Sequence, residues 1–538
     1  MTDTSRGADV RRWFLVAGIV AVSFVSGGWL LHGTDDAPSM PAPDLFRSVM
    51  QAVSEYYVDS LPDDSLYHKA ATGLLEELND PYSTLVEGES YRELTEQTTG
   101  NYGGLGIQID VRDGVIMVVA PLPETPAERA GVEAGDQIIA VDGKSTRDLN
   151  QDDAIKTLRG APGTPVVLEV RRPGVQELMR FRMVRETIHF RSVQPGTMLE
   201  GGVGLVQLTQ VSETSAEELQ DEIEALRKRG LTGLILDLRG NPGGLLDQGV
   251  AVSDLFLDKG QQIVSTRGRA EGTSRIFAAE RDQRWPALPV VVLVNEYSAS
   301  AAEIIAGALQ DNDRAVVVGT PTFGKGLVQS LFRLGDGRAL KLTTARWYTP
   351  SGRSIQREAR NEMDQVAAVE SIADGTDSLA LDSLPTHKTI SGRLVRGGGG
   401  IVPDRIVRTD TLVDGEKLFV RAVGGNVSAY RDALVATAIA LKERGAVSSR
   451  AFVVTPEHRA LVFAKLAEKG VALTEAEKAG AAKLVDDQLG WEIARYVFGR
   501  DVELARRAAD DAQVREAAML LRAGRTPAAL LQQVLPGR

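Results

Sequence analysis

The stretch "PVVVLVNEYSASAAEI", Pro289 to Ile304, contains a strand, a turn and the beginning of a helix. The apolar run predicts a buried strand, and the small residues after it predict a turn into a helix with apolar periodicity. Ser298 and Ser300 therefore lie where this helix begins. Ser300 and Glu303 have the spacing of a capping box, but a helix N-terminus also favours developing negative charge. At this point Ser300 is either a helix cap or a nucleophile, and Ser298 is the alternative nucleophile.

The segments upstream of this stretch continue the alternation of strand and helix. They are "GVGLVQLTQV" (strand), "SAEELQDEIEALRKRG" (helix), "TGLILDLRG" (strand) and "LLDQGVAVSDLFL" (helix). Such alternation predicts an α/β fold. Between the last two segments, "DLRGNPGGLL" places Gly243 and Gly244 where backbone N–H groups can converge on an anion. An ordinary glycine turn is the alternative.

A lysine between two glycines follows the apolar strand "RAVVVG". In "PTFGKGLVQ", Lys325 occupies a position that is unusual for a solubilising lysine and predicts burial. Burial favours the neutral amine, which can serve as a general base for a hydroxyl nucleophile. None of the five histidines lies near these motifs in the sequence. Gln329, four residues after Lys325, lies on the same side of the segment and can orient the amine.

Four ordered motifs resemble the carboxy-terminal processing peptidases, or tail-specific proteases. These are "SASAAEI", "DNDRAVVVGTPTFGKGLVQ", "ARWYTPSGRSI" and "GGIVPD", and the resemblance extends over roughly Asp44 to Val407. It implies a peptidase core with the Clp protease/crotonase type of α/β fold. It also implies a serine endopeptidase that binds protein C-terminal tails and hydrolyses peptide bonds.

The resemblance assigns roles to individual residues of this sequence. It implies that Ser300 is the nucleophile, Lys325 the base and Gln329 the residue that positions the lysine, with the family's spacing of 25 residues between the first two. It further implies an oxyanion hole made by the backbone amides of Gly244 and Ala301. Ala302 departs from the family's usual serine, which is not the nucleophile, so the assignment stands.

The strand-rich segment before the α/β region resembles a PDZ domain of the bacterial protease type. In its "YGGLGI" loop, Gly104, Leu105 and Gly106 allow consecutive N–H groups to point at a terminal carboxylate, and the strand containing Ile107 and Ile109 offers an edge to an extended peptide. Ala154 and Leu158 on a short helix complete an apolar pocket. A module that only packs against the protease is the alternative.

Composition excludes several classes of function. The chain has 538 residues, a formal net charge of -12 and no cysteine, which argues against nucleic-acid binding and excludes disulfides and thiolate catalysis. The five histidines are scattered, and no metal-ligand spacing is visible, so neither a metal nor a cofactor is expected.

The N-terminus predicts a membrane anchor. Arg11 and Arg12 precede "WFLVAGIVAVSFVSGGWLL", Trp13 to Leu31, a run without charge that is long enough to span a bilayer. No clear small-residue cleavage site follows, and the preceding arginines orient the N-terminus inward. We therefore expect a single-pass protein of a bacterial-type inner membrane with its catalytic body on the periplasmic side.

The sequence predicts five regions. They are an N-terminus with the anchor (1–36), a helical segment (37–98), a PDZ domain (99–190), a serine peptidase core (191–411, with an insertion at about 357–384) and a helical C-terminal extension (412–538). The extension is typical of an assembly element, so self-association is expected. The rival functions are a catalytically idle PDZ adaptor, a crotonase-like acyl-CoA enzyme and a structural envelope protein.

Overall fold

The computed structural model of the chain describes residues 41–535 except 113, 173, 358–366, 368–370 and 372–380. The chain divides into two compact units, and the boundary lies between Asn79 and Asp80. The first unit contains helix α1 (Ala42–Tyr56) and helix α2 (Asp63–Glu76), each of which follows a proline. Proline suits a helix start because the first N–H groups have no intrahelical partner. The predicted N-terminal helical segment is confirmed.

The predicted membrane topology needs correction. Within the described ranges, no helix combines the length and the apolar character needed to cross a membrane. A single-pass inner-membrane protein is therefore not what the structure supports. The proposed anchor itself, Trp13 to Leu31, falls outside the described residues.

The second unit begins with strand β1 (Thr84–Glu87) and helix α3 (Gly88–Thr99), which lead into the strand-rich module. The elements of the module are β2 (Asn101–Gly104), β3 (Ile107–Arg112), β4 (Val115–Pro121), α4 (Pro126–Arg129), β5 (Gln137–Val141), β6 (Lys144–Ser145), α5 (Gln151–Leu158), β7 (Pro165–Arg171), β8 (Met179–Val184) and β9 (Glu186–His189). Strands β3-β4-β5-β7-β8 form an antiparallel sheet in that order, and β6 pairs with β5. Strand β2 pairs with β9, which joins the two ends of the module.

The α/β core follows the module. Its elements are β10 (Thr197–Leu199), β11 (Val203–Gln207), α6 (Ser215–Lys228), β12 (Gly233–Asp237), α7 (Leu246–Asp254), β13 (Gln262–Gly268), β14 (Arg275–Ala278), β15 (Val290–Val294), α8 (Ala301–Asp311), β16 (Val316–Gly319), β17 (Leu327–Gly335), β18 (Arg338–Tyr348), β19 (Thr386–Lys388), β20 (Leu394–Arg396) and β21 (Arg405–Ile406).

The main sheet of the core brings two of the predicted motifs together. Its strand order is β10-β11-β12-β15-β16-β21, and every pair except β10 with β11 is parallel. The loops after adjacent parallel strands meet at the same edge of a sheet. The glycine loop after β12 therefore lies next to the serine turn after β15. A second sheet, in which β17 pairs with β18, carries the segment that follows Lys325.

The helical extension divides into two parts. Helices α9 (Asp414–Val423), α10 (Val427–Glu443), α11 (Pro456–Glu468) and α13 (Ala482–Ile493), with a π-helical turn at Ala494–Phe498, share one hydrophobic core. The short helix α12 (Glu475–Gly480) contributes no side chain to this core. Helices α14 (Arg500–Asp510), α15 (Ala512–Ala523) and α16 (Pro527–Gln532) contribute to another cluster, which includes apolar residues of the main sheet. The last part of the extension thus covers one face of the peptidase core within the same chain.

The helix starts in the extension follow the sequence. Thr474 and Glu477 form a capping box, with the Thr474 backbone N–H donating to the glutamate at 2.7 Å. Thr526 caps α16 ahead of Pro527, and its hydroxyl accepts from the Ala529 N–H at 3.2 Å. Self-association of the extension and the domain boundaries given above stay predictions, and the expected insertion lies mostly outside the described residues.

Candidate active site

The two serines of the β15–α8 turn have different environments. The Ser298 side chain is completely buried. Its hydroxyl donates to the Leu238 carbonyl at 2.8 Å and accepts from the backbone N–H of Asn295 at 2.9 Å. Ser300 is partly exposed and has a backbone φ of 53° and ψ of -116°. A positive φ is uncommon for a residue with a side chain, and such strain is often found at functional sites. Ser298 therefore shapes the turn, and Ser300 presents its hydroxyl at the surface of the turn.

The capping arrangement at the start of α8 is carried by Glu303 rather than by the serine hydroxyl. The Ser300 side chain makes no capping hydrogen bond to the helix, whereas its backbone N–H donates to Glu303 Oε2 at 2.8 Å. The glutamate thus satisfies the helix start and leaves the Ser300 hydroxyl out of the cap.

The same glutamate holds the lysine loop. Glu303 Oε2 also accepts from the Lys325 backbone N–H at 2.9 Å. Its other oxygen, Oε1, accepts from the Thr322 hydroxyl at 2.5 Å and the Gly324 N–H at 2.7 Å. One fully buried carboxylate therefore fixes the backbone of both predicted catalytic residues. Sequence reasoning recognised Glu303 only as a helix cap.

Burial and hydrogen bonding act in opposite directions on this carboxylate. Burial raises the pKa of Glu303 above its usual value, and the four donors only partly offset that effect. A buried acceptor with four donors around it is costly to replace, because each donor would lose its partner inside the protein.

The Lys325 side chain is only partly buried, which differs from the apolar pocket that the sequence predicted. Its Nζ lies 4.5 Å from the centre of the Tyr82 ring. Burial by itself raises the pKa of the nearby Asp80, but hydrogen bonds from Ser83, Thr343 and Tyr82, together with the charge of Lys325, lower it overall. An aromatic face and a carboxylate both stabilise the ammonium form of a lysine. Sequence spacing gave no sign of Tyr82 or Asp80, which come from a distant segment.

Gln329 lies on β17, and its side-chain amide donates to the Thr343 hydroxyl on the neighbouring strand β18 at 3.4 Å. The Lys325 carbonyl is fixed from the same strand, because Trp347 Nε1 donates to it at 3.0 Å. Lysine and glutamine are thus both held against β18.

The glycine loop packs directly against the serine turn. Gly243 has a φ of 91°, and a methyl group there would lie 2.6 Å from the Ala299 carbonyl oxygen and 2.8 Å from Ser300 Cβ. Gly244 has a φ of 147°, and a methyl group there would lie 1.9 Å from the Val211 carbonyl oxygen. Only glycine fits such conformations and approaches. The loop therefore runs past the Ser300–Ala301 peptide, where the sequence predicted an oxyanion hole.

The predicted tail-binding residues lie together in the module. Leu105, Ala154 and Leu158 are buried, and Ile107 and Ile109 pack against the same hydrophobic cluster. Gly106 has a φ of 72°, and a methyl group on it would lie 2.3 Å from Thr125 Cβ. Strand β3 is the end strand of its sheet, as a peptide-binding edge requires. A methyl group on Gly104, at the end of β2, would lie 2.8 Å from the Tyr102 ring, which would have to shift.

No group of three or more His, Cys, Asp or Glu side chains within the described ranges is arranged to hold a metal ion. The candidate catalytic corner comprises Ser300, Glu303, Lys325, Gly243 and Gly244.

Comparison with known proteins gives a family match for two regions of the chain. Residues 202–364 match the sequence profile of peptidase family S41, and residues 117–172 match that of the PDZ domain. The chain is 42% identical over 348 residues to the carboxy-terminal-processing protease of Bartonella bacilliformis, which covers 64% of this chain and 79% of that protein. It is 37% identical over 348 residues to the carboxy-terminal processing protease CtpA of Bacillus subtilis, which covers 64% of this chain and 74% of that protein.

Among solved structures, the photosystem II D1 C-terminal processing protease aligns with a TM-score of 0.34 and 27% identity, over 61% of this chain and 98% of that one. The S41 match spans Ser300, Lys325 and Gln329 as well as Gly244 and Ala301.

Proposed function

Because the chain belongs to the carboxy-terminal processing peptidases of family S41, which are serine peptidases, we propose that Ser300 is its nucleophile and Lys325 its general base. The observation that carries this proposal is the bridge made by Glu303. Its Oε2 accepts from the backbone N–H of Ser300 at 2.8 Å and from that of Lys325 at 2.9 Å. A nucleophile and a base must keep a fixed mutual geometry, and a shared buried acceptor supplies it.

The reaction follows from these roles. Ser300 Oγ attacks the carbonyl carbon of the scissile peptide bond, and its proton passes to Lys325 Nζ. The oxyanion that forms accepts hydrogen bonds from the backbone amides of Gly244 and Ala301. When the carbon–nitrogen bond breaks, the leaving amine takes the proton from Lys325. Water then attacks the acyl-enzyme in the same way, which releases the new C-terminus and regenerates Ser300.

The base must be neutral when it accepts the proton. Tyr82 and Asp80 favour the ammonium form, so the neutral fraction of Lys325, and with it the activity, rises with pH. Gln329, held on β17, is assigned to orient the amine.

The module supplies substrate selection in this proposal. The N–H groups of the Gly104–Gly106 loop bind the terminal carboxylate of a protein tail, and the edge of β3 pairs with the residues before it. The cluster that contains Leu105, Ala154 and Leu158 provides the apolar contact. The substrate is therefore a polypeptide with a free C-terminus and a small or apolar last residue.

Two serine variants test the catalytic assignment. The full chain and its Ser300→Ala and Ser298→Ala variants are incubated with an unstructured protein, and the fragments are mapped by mass. Ser300→Ala should yield no fragments. Ser298→Ala should still cleave, at a stability cost of about 1 kcal/mol for its lost hydrogen bonds. Cleavage by Ser300→Ala at the rate of the parent would contradict the proposal.

The rival functions are not favoured. Membership of a serine peptidase family argues against a catalytically idle adaptor and against an acyl-CoA enzyme. Lysine variants separate them further, because only a peptidase that uses Lys325 as its base should lose turnover in Lys325→Arg, which keeps the charge but cannot lose its proton.

A further inference from the structure

The end of the helical extension makes a charged contact with the peptidase core directly beside the glycine loop. Arg239 ends the segment after β12, and the loop Asn241 to Gly244 follows it. Arg239 Nη1 donates to Asp511 Oδ2 at 2.7 Å and to Gln513 Oε1 at 2.8 Å. These two partners are the N-cap and the second residue of α15, more than 270 residues away along the chain.

The other side of the same guanidinium is bound within the core. Arg239 Nε donates to Asp237 Oδ1 at 2.9 Å, and Nη2 donates to Asp237 Oδ2 at 2.7 Å. A guanidinium presents its donors in a rigid planar fork, so two fixed carboxylates determine its position and orientation. Burial alone would lower the pKa of Arg239, but Asp237 and Asp511 together raise it, in keeping with a strong ion pair.

Asp511 is itself fixed on the extension. Its Oδ1 accepts from the backbone N–H groups of Gln513 at 2.8 Å and Val514 at 3.1 Å, which makes it the N-cap of α15. Gln513 is fully buried, and its amide donates to the Val407 carbonyl at 2.7 Å. Apolar side chains of α15, among them Leu521, pack against the main sheet. The carboxylate that faces Arg239 is therefore held by a helix that is anchored to the core.

The backbone that follows Arg239 is hydrogen-bonded to the serine turn and within the glycine loop, so the position of Arg239 affects the position of the loop. Gly240 N–H donates to Asn295 Oδ1 at 2.9 Å, and Gly243 N–H donates to Asn241 Oδ1 at 2.8 Å. The Asn241 carbonyl accepts from the Ala299 N–H at 2.9 Å, next to Ser300. A shift at Arg239 would pass along these bonds to the glycine loop, which packs against the turn that contains Ser300.

We propose that Asp511 is a positioning residue for the peptidase reaction, which fixes Arg239 and through it the oxyanion-binding loop. The C-terminal extension is then part of the catalytic apparatus and not only an assembly element. The proposal rests on the proposed function, since it assumes that the amide of Gly244 binds the oxyanion.

Two substitutions separate this role from helix capping. Asp511→Asn keeps the N-cap when its oxygen accepts from the helix N–H groups, because asparagine caps as well as aspartate, and its NH₂ group then faces Arg239 in place of a carboxylate oxygen. Asp511→Ser also keeps a cap and removes the oxygen that faces Arg239. The matched control is Glu516→Gln on the same helix, which breaks the 3.0 Å pair with Arg405.

The experiment measures kcat and KM for a peptide substrate on the full chain, together with the inhibition constant of a peptide boronic acid. The boronate forms a tetrahedral adduct with a nucleophilic serine and therefore reports on the oxyanion site. For both Asp511 variants we expect kcat to fall about tenfold to a hundredfold, KM to stay within about twofold, and the boronate to bind correspondingly more weakly. Glu516→Gln should match the parent in all three quantities.

Parent-like kcat and boronate binding in both Asp511 variants would overturn the proposal. An equal loss in Glu516→Gln would also overturn it, because it would show that the docking of α15 matters in general and Asp511 does not. Ser300→Ala in the same series keeps the two proposals apart. If that variant still turns over substrate, the proposed function fails whatever the Asp511 variants do.

Discussion

One glutamate holds the candidate catalytic corner together, and another holds the junction between the PDZ domain and the peptidase core. The two glutamates accept hydrogen bonds from different kinds of donor. Glu303 accepts hydrogen bonds from three backbone N–H groups and one hydroxyl, and it is fully buried. Glu218, on α6, accepts from one backbone N–H and from the side chains of Thr214, Ser192 and His189. Backbone donors cannot turn away without moving the chain, whereas side-chain donors can rotate.

At the junction, His189 on strand β9 of the PDZ domain contacts Glu218 on helix α6 of the core. One ring nitrogen of His189 lies 2.7 Å from Glu218 Oε1, and the other lies 3.1 Å from Asn101 Oδ1 on the paired strand β2. The contrast indicates that geometry is fixed most firmly at the proposed catalytic residues, and that the PDZ domain is attached by contacts that can adjust. The predictions below test that contrast.

The largest effect is expected at Glu303. Glu303→Gln turns an amide NH₂ group toward N–H donors and leaves at least one of those donors unpaired. Each unpaired donor should lower the free energy of unfolding by about 1–3 kcal/mol. Because the two loops then lose their fixed geometry, peptidase activity should fall by at least about a hundredfold. Activity and thermal unfolding are measured side by side. Glu296→Gln is the control, because Glu296 lies in the same turn but binds only the Thr320 hydroxyl among these motifs. Equal activity of Glu303→Gln and the parent would remove the basis of the contrast.

Gly243 should give the next largest effect. A methyl group on Gly243 meets the Ala299 carbonyl at 2.6 Å, so Gly243→Ala displaces the loop and should reduce kcat about a hundredfold, as the loss of an oxyanion donor does. Gly240→Ala is the control in the same turn. Its φ of 69° makes alanine costly by about 1 kcal/mol, but no atom lies within 4 Å of the added carbon. We expect that variant to keep its kcat, and equal losses in both would point to backbone strain as the cause.

Amidation of the substrate's C-terminus tests the PDZ domain, which is the part attached by contacts that can adjust. If the Gly104–Gly106 loop reads a terminal carboxylate, peptides with a free C-terminus should be cleaved about tenfold more efficiently than the same peptides amidated, with most of the change in KM. Competition kinetics on a mixed pair of peptides measures the ratio directly. Equal rates would show that the domain does not read the terminus.

The smallest effect is expected at Glu218. Burial alone raises its pKa, but hydrogen bonds from Thr214, Val193 and His189 outweigh burial and lower it below the usual 4.5. A carboxyl with a lowered pKa stabilises the fold above its unfolded-state pKa, and that stability is lost as the pH falls through its folded-state pKa. Glu218→Gln should therefore destabilise the protein by about 1–2 kcal/mol at pH 7 and flatten its loss of stability below about pH 4.5.

Thermal unfolding between pH 3 and pH 7 checks this expectation. The exposed neighbour Glu217 provides the control, and Glu217→Gln should follow the parent curve. A Glu218→Gln curve that runs parallel to the parent at every pH would mean that the carboxylate contributes nothing to the junction.

Periodicity in the sequence was sufficient for the alternation of strands and helices in the core, whereas the peptidase and PDZ folds were expected from the family resemblance. The apolar strands of the core, such as Val290 to Val294, are completely buried. A strand that is buried on both faces appears in the sequence as a continuous apolar run, which makes it easy to predict. Residue patterns placed Ser300 and Lys325 after neighbouring strands at one edge of the sheet, and the family resemblance then implied their roles as nucleophile and base.

Contacts from distant segments limited the rest. The expected burial of Lys325 was wrong in degree because Tyr82 and Asp80 face the amine, and no local pattern shows which remote side chains will do so. Glu303 was recognised as a cap, but its bonds to Gly324 and Lys325 depend on the approach of two loops. The helices near the C-terminus were predicted to be an assembly element. Periodicity shows that these helices have apolar faces, but it does not show which surface covers those faces.

The most direct test of the central claim is to find which residue becomes acylated. The full chain is mixed with a peptide active ester, quenched in acid to preserve the acyl-enzyme, digested and mapped by mass. The account predicts a single acyl adduct on Ser300, which is absent from Ser300→Ala, persists in Ser298→Ala and forms far more slowly in Lys325→Arg. An adduct on Ser298, or one that forms at the parent's rate in Lys325→Arg, would contradict it.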